Sequence, residues 1–307
     1  MRERHGWVLD AAHVREFTDI NQGLQAVLHV ATRPGDGVVV HTPAYPPFLE
    51  TIASMGRRPH PVPYTPDGDT WTFDADRLDR ELRERPARVL LLVNPHNPTG
   101  RVLRREELRT LAGLALRHGL LVVADEIHSD LVHAPHRHLP FASLSAEVAA
   151  RTVTLTSATK AFNVPGLRCA VAHVGAAEVR EALAHPTHLY GEPNTFGVAA
   201  TLAAWRDGDA WLAELRTVLA RNAALVAQEL PPGVRHRTPQ ATFLAWLDCR
   251  ELDLDTDLQT FFLKEARVLL NDGRTFGAEG EGFVRLNFGT SEGILREILH
   301  RIRNALT

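Results

Sequence analysis

Lys160 follows a strand-like run in "TLTSATKAFNVPGLRCA" (154–170), in a chain where only Lys160 and Lys264 among 34 Lys+Arg are lysines. Where positive charge alone is needed this chain uses arginine, so a retained lysine points to use of its amine. Unlike a guanidinium, an amine can lose its proton and serve as a nucleophile or base. A second group with chemical capacity closes "LLVVADE" (120–126), where Asp125 and Glu126 end an apolar run. Two adjacent carboxylates there exceed what a buried strand needs as filler. A magnesium-binding strand of a nucleotide hydrolase would require a GxxxxGK[ST] loop, which the chain lacks. "GAEGEG" (277–282) has neither the GxGxxG order nor a preceding strand, so a dinucleotide fingerprint also fails. The acid needs another cation to pair with.

A protonated pyridine nitrogen is such a cation. Pyridoxal phosphate is held by a lysine Schiff base while an acid keeps its ring nitrogen protonated, so that the ring accepts electrons from a substrate carbanion. Lys160 and Asp125 have the residue types for those two roles. "VNPHNPTGRVL" (93–103) adds two Asn-Pro pairs, and an Asn side chain fixed by a following Pro can donate to the ring's phenolate oxygen; the plain alternative is a turn. In "TPAYPPF" (42–48) Tyr45 stands at a strand end and could stack on the ring, or be a core tyrosine. "TDINQGLQAVLHVA" (18–31) starts a helix whose first free amides, near Ile20 and Asn21, suit a phosphate dianion; otherwise it is an ordinary capped helix. Arg168, eight positions after Lys160, and Ser157, three before it, offer a guanidinium and a hydroxyl to the same phosphate.

The elements that must position these groups alternate through the first two thirds of the chain. "DGVVVHTP" (36–43), "RVLLLVNP" (88–95), "LLVVADE" and "RTVTLTS" (151–157) read as strands, separated by helical stretches such as "RREELRTLAGLALRHG" (104–119). This is the pattern of an α/β fold with a mostly parallel sheet flanked by helices. Ligands in such sheets sit beyond the carboxyl ends of the strands, where Tyr45, Asn97, Asp125, His128 and Ser157 fall. From about Phe196 one long helical run (197–230) precedes short strands in "ATFLAWLDC" and "EGFVRLNFG" and a final helix, which predicts a smaller C-terminal α+β domain. The expected division is residues 1–190 and 191–307, with "PTHLYGEPNT" (186–195) as linker.

Composition bounds the partners. A net charge of −3 with scattered arginines gives no basic face for nucleic acid, and no apolar run approaches a membrane span. Two cysteines without metal-like spacing and an N-terminus without an apolar signal core predict a reducing cytoplasm and a small, soluble substrate. His128, His133, His136 and His138 could be read as a metal cluster, but their spacing lacks a helical i, i+4 pair and no cysteine joins them, so no metal is expected.

With these residues in view, "NPHNPTG", "DEIHSDLVH" and "TSATKAFNVPGLRCA" resemble the fold-type I pyridoxal-phosphate enzymes of the aminotransferase class I/II superfamily, specifically the MalY/PatB-like group of cystathionine and cysteine-S-conjugate β-lyases. The resemblance runs from about Trp7 to the C-terminus, and His128, where many aminotransferases carry tyrosine, tilts it towards the lyases. It implies Lys160 as the Schiff-base lysine, Asp125 as pyridinium partner, Asn97 and His128 as phenolate-side contacts, Tyr45 as the stacking ring, and Ser157 and Arg168 at the phosphate, beside the Ile20 and Asn21 amides read from the helix start. It also implies that Arg285, in "GFVRLNFG", grips the substrate α-carboxylate as a bidentate fork. The implied reaction is C–S β-elimination to pyruvate, ammonia and a thiol. An aminotransferase, or a degenerate cofactor-binding homologue without turnover, are the alternatives. Two departures stand out against the resemblance: it leads one to expect several dozen further residues, including an N-terminal arm, ahead of the segment around Trp7, with a shortened protein, a misassigned start or a degenerate homologue as the readings, and "NFGTSEGIL" (287–295) stands where the lyases usually show a Pro-Arg pair. A homodimer is expected, weakened by the shortened N-terminus.

Overall fold

A computed structural model describes residues 1–184, 191–252 and 254–306 of the chain. Among the described residues thirteen strands occur in chain order: β1 Val14–Phe17, β2 Gly37–Thr42, β3 Arg58–Pro63, β4 Thr65–Asp67, β5 Thr70–Thr72, β6 Val89–Val93, β7 Leu121–Asp125, β8 Thr152–Thr156, β9 Ala170–Val174, β10 Arg235–His236, β11 Leu244–Asp248, β12 Asn271–Asp272 and β13 Phe283–Asn287. Seven form the main sheet in the order β1-β9-β8-β7-β6-β2-β3. The run β3-β2-β6-β7-β8 is parallel, and β9 and β1 join antiparallel at one edge. The mostly parallel sheet read from the sequence is therefore present.

Its central strands β2, β6, β7 and β8 are short, mostly β-branched or aliphatic, and buried on both faces, while the edge strands β1 and β3 are only partly buried. Val38, Val40, Leu91 and Val123 pack on one side against Leu24, Val27 and Leu28 of the helix Ile20–Ala31. Val39, Leu90, Leu92 and Val122 face the other way, onto Leu78 and Leu82 of the helix Ala75–Glu84 and Leu108 and Leu111 of the helix Arg105–Arg117. Alternate strand residues thus feed two cores, which is why the strands read as continuous apolar runs. The helix Ile20–Ala31 buries Ile20, Leu24, Val27 and Leu28, an i, i+4, i+7, i+8 stripe, and each fully buried Leu or Val contributes roughly 1.5–3 kcal/mol.

The second sheet, β10-β11-β13-β12, is antiparallel and packs through Leu247, Val284 and Leu286 on the helices Asp209–Glu229 and Glu292–Ala305. The single helical run expected over 197–230 is two helices, Thr195–Asp207 and Asp209–Glu229. The break falls at Gly208, where a Cβ would stand 2.4 Å from the Phe162 ring and 2.5 Å from the Ala204 carbonyl oxygen. Of the expected linker, residues 191–194 precede the first of these helices and Asn194 caps it, its Oδ1 accepting from Gly197 N at 2.8 Å. The expected boundary at residue 190 lies outside the described residues.

Candidate active site

One cavity of about 500 Å³ opens at the carboxyl ends of the parallel strands. Ile20, Asn21, Tyr45, Asn97, Asp125, His128, Ser157, Lys160, Arg168 and Arg285 all line it, so every residue predicted for a site faces the same space. Asp125 ends β7 and Lys160 lies on the short helix Ala158–Ala161 that follows β8. Because β7 and β8 are adjacent and parallel, both chains leave the sheet at the same edge.

Asp125 is buried, and its Oδ1 accepts one backbone hydrogen bond, from Ile127 N at 3.0 Å. Burial pushes its carboxyl up to about 7, against the opposing pull of the Ile127 amide and the Lys160 ammonium. Lys160 is half-buried and has no ion-pair partner among the described residues. Burial lowers its pKa, the Arg285 guanidinium lowers it further, and Asp125 opposes both. His128 is buried against Phe243, ring centroids 5.8 Å apart, and its Nδ1 has no hydrogen-bond partner among the described residues. Burial, helped by Lys160 and Arg285, lowers its pKa to about 3, so the imidazole is neutral at physiological pH. Burial also raises the Tyr45 phenol, which stays protonated.

Arg285 on β13 reaches across to Asn97, donating from Nη1 to Oδ1 at 2.8 Å. Asn97 sits in the "NPHNPTG" turn, which Gly100 closes with φ 68°. Any side chain at Gly100 would meet Pro239, whose Cβ is 2.3 Å from an ideal Cβ there. At the opposite end of the cavity, Asp19 caps the helix Ile20–Ala31 by accepting from Gln22 N at 2.8 Å, which leaves the amides of Ile20 and Asn21 ahead of the capped one. Arg168, in a left-handed conformation, donates to the other oxygen of Asp19. The Ser157 hydroxyl donates to the Cys169 carbonyl oxygen at 2.5 Å and meets Thr159 Oγ1 at 2.8 Å, so to give its proton to an anion Ser157 must release Cys169.

Glu126, read from sequence as more than structural, belongs to the scaffold. Its side chain leaves the cavity, accepting from Phe141 N at 2.8 Å and pairing with His138 Nε2 at 3.0 Å, both partners almost fully buried. Successive strand residues point to opposite sides, which separates it from Asp125. The four histidines of 128–138 disperse likewise: His128 into the cavity, His138 onto Glu126, His133 beside Phe288 and His136 into solvent. Among the described residues no group of three His, Cys, Asp or Glu converges as a metal site. Sequence reasoning missed Asp19, Thr159 and Phe243; the capping pattern "TDINQ" is the one signal that marks Asp19 in advance.

The residues present fit pyridoxal phosphate. A buried carboxyl with a single backbone donor and a raised pKa is returned to its ionised form by a cation facing it, and a ring NH⁺ is one. The unpartnered His128 Nδ1 and the free amides of Ile20 and Asn21 supply polar contacts around the same cavity.

Comparison with known proteins agrees. The profile described as aminotransferase class I and II matches residues 14–302. Cystathionine beta-lyase PatB of Bacillus subtilis is 37% identical over 321 residues, covering 100% of this chain and 81% of the relative. Protein MalY of Escherichia coli is 35% identical over 281 residues, 89% of this chain and 71% of its own. The structure of the PLP-bound C-S lyase from Staphylococcus hominis superposes with a TM-score of 0.93 at 28% identity, covering 99% of this chain and 81% of the other.

Proposed function

We propose that the chain, which belongs to the aminotransferase class I and II family, is a pyridoxal-phosphate-dependent carbon–sulfur β-lyase that cleaves cystathionine or cysteine S-conjugates to pyruvate, ammonia and a thiol. The observation that carries this reading is a lysine of lowered pKa, a buried acid and an arginine that, among the described residues, has no carboxylate partner, all lining one cavity. The similarity to named cystathionine β-lyases favours elimination over transamination.

Bound pyridoxal phosphate supplies an electron sink for the carbanion formed at the substrate α-carbon. Lys160 would hold the cofactor and would serve as base for the α-proton; its lowered pKa favours the neutral amine that such a role needs. Asp125 holds the proton on the ring nitrogen. Arg285 would bind the substrate α-carboxylate, and Asn97, whose Oδ1 accepts from Arg285, would have its amide N–H groups to offer the ring oxygen beside the neutral His128. The amides of Ile20 and Asn21 take the phosphate, with Arg168 and Ser157 beside them, and Tyr45 stacks on the ring.

The same reading carries a cytoplasmic homodimer. Val8, Phe196 and Leu202 are exposed large apolar residues suited to a second copy, and among the described residues no helix is long and apolar enough to cross a membrane. Sedimentation of the purified protein checks the dimer. The reaction is checked by supplying cystathionine without any 2-oxo acid and measuring pyruvate and thiol. Strict dependence on an acceptor makes the protein an aminotransferase instead, and a cofactor absorbance band without product makes it a binding protein.

A further inference from the structure

Arg285 is held on two sides, by Asn97 and by Asn271, and the sequence reading foresaw neither contact. In the register of the small sheet Asn271 on β12 stands directly opposite Arg285 on β13, which puts both side chains on one face of the sheet. Asn271 Oδ1 accepts from Arg285 Nη2 at 2.8 Å and from Nε at 3.3 Å, so one amide oxygen takes the whole Nε–Nη2 edge of the guanidinium. Phe276 lies under the same group, its ring centre 4.9 Å from Cζ. With Nη1 donating once to Asn97, each terminal nitrogen keeps one N–H for a ligand, and two N–H groups match the two oxygens of a carboxylate.

The anchor is neutral although an acid is next to it in the chain. Asp272 turns the other way and pairs with Arg274 at 2.6 Å. Among the described residues no carboxylate forms an ion pair with Arg285. An amide orients a guanidinium without cancelling its charge, whereas a carboxylate on that edge would form a bidentate ion pair and compete with the substrate.

Resting on the lyase reading above, we propose that Asn271 is a positioning residue for substrate recognition, which aims Arg285 at the substrate α-carboxylate while leaving its charge free. The probe is propionate, a carboxylate without the amine, titrated by NMR line broadening into the protein loaded with pyridoxal phosphate. Asn271→Ala is expected to weaken propionate about ten-fold, and Asn271→Asp, nearly the same shape but charged, to weaken it more. A role in shape alone predicts the opposite order, with Asn271→Asp close to wild type. In the turnover assay both variants raise KM for a cysteine S-conjugate with kcat within about two-fold, while a cysteamine conjugate, which lacks the carboxylate, reacts as with wild type. Unchanged propionate binding in Asn271→Ala, or wild-type binding in Asn271→Asp, overturns the assignment. A wild-type protein without lyase turnover sinks the lyase reading alone, because the propionate titration still decides Asn271.

Discussion

Asp125 is paired in register with Leu155 of the neighbouring strand, and Lys160 stands five residues beyond that partner, so the acid and the amine reach one cavity from adjacent parallel strands. Each favours the other's charged form, but burial outweighs that attraction: the carboxyl is raised to about 7 and the amine is lowered. The pair is therefore only weakly self-neutralising, which suits groups that must engage a third partner.

Lys160→Ala should reduce turnover by at least about 10²–10⁴-fold, the range of a lost general base, and should also remove the cofactor absorbance band and its sensitivity to borohydride. A variant that keeps the band shows that another group holds the cofactor.

The pH dependence of the cofactor-free protein isolates Asp125. Its folded pKa of about 7 lies above the ordinary carboxylate value, so the folded state binds the proton more tightly and the group's stabilising contribution, full below about pH 4, is lost as pH rises to 7. The difference in unfolding free energy between wild type and Asp125→Asn, read by denaturant titration, should therefore shift in favour of the variant between pH 4 and pH 8, by an amount on the order of 4 kcal/mol at most. A difference that stays flat across that range contradicts the raised carboxyl.

His41 works in the other direction. It is buried, stacked on Tyr64 at 4.8 Å, with neither ring nitrogen partnered, and burial lowers its pKa to about 4. A folded pKa below the unfolded one means the unfolded state binds the proton first, so stability present above about pH 6.5 is lost as pH falls towards 4. His41→Phe keeps a ring in place and removes the titration. It should raise the melting temperature more at pH 5 than at pH 8, and calorimetry at the two values settles the matter.

Breaking the Glu126–His138 pair should act on stability and leave the cavity's chemistry in place. Removing one partner of a buried pair costs about 3–5 kcal/mol, and Glu126→Ala also strands the Phe141 amide. Denaturant unfolding should show that loss while KM of the remaining folded enzyme stays near wild type. A selective rise in KM would mean that Glu126 reaches the site.

The chemistry was legible where residue type and strand end coincide. A rare lysine after β8, an acid closing β7 and a tyrosine after β2 carry their roles in local sequence, since parallel strands deliver their carboxyl ends to one edge whatever the details of packing. The helix break at Gly208 was not legible, because a lone glycine is tolerated inside a helix and the residue that crowds this position, Phe162, is distant in sequence.

By itself, then, the sequence determined the alternation of strand and helix, the two buried faces of the main sheet and the amine and acid at its strand ends, because periodicity and strand direction are local properties. Only the tertiary structure decided which neighbour each polar group meets: that Glu126 turns to His138 while Asp125 faces the cavity, that Arg168 is tied to Asp19, and that Asn271 lies against Arg285. Those choices depend on register between segments far apart in the chain, and a two-residue strand such as β12 acquires its partner from the sheet it joins.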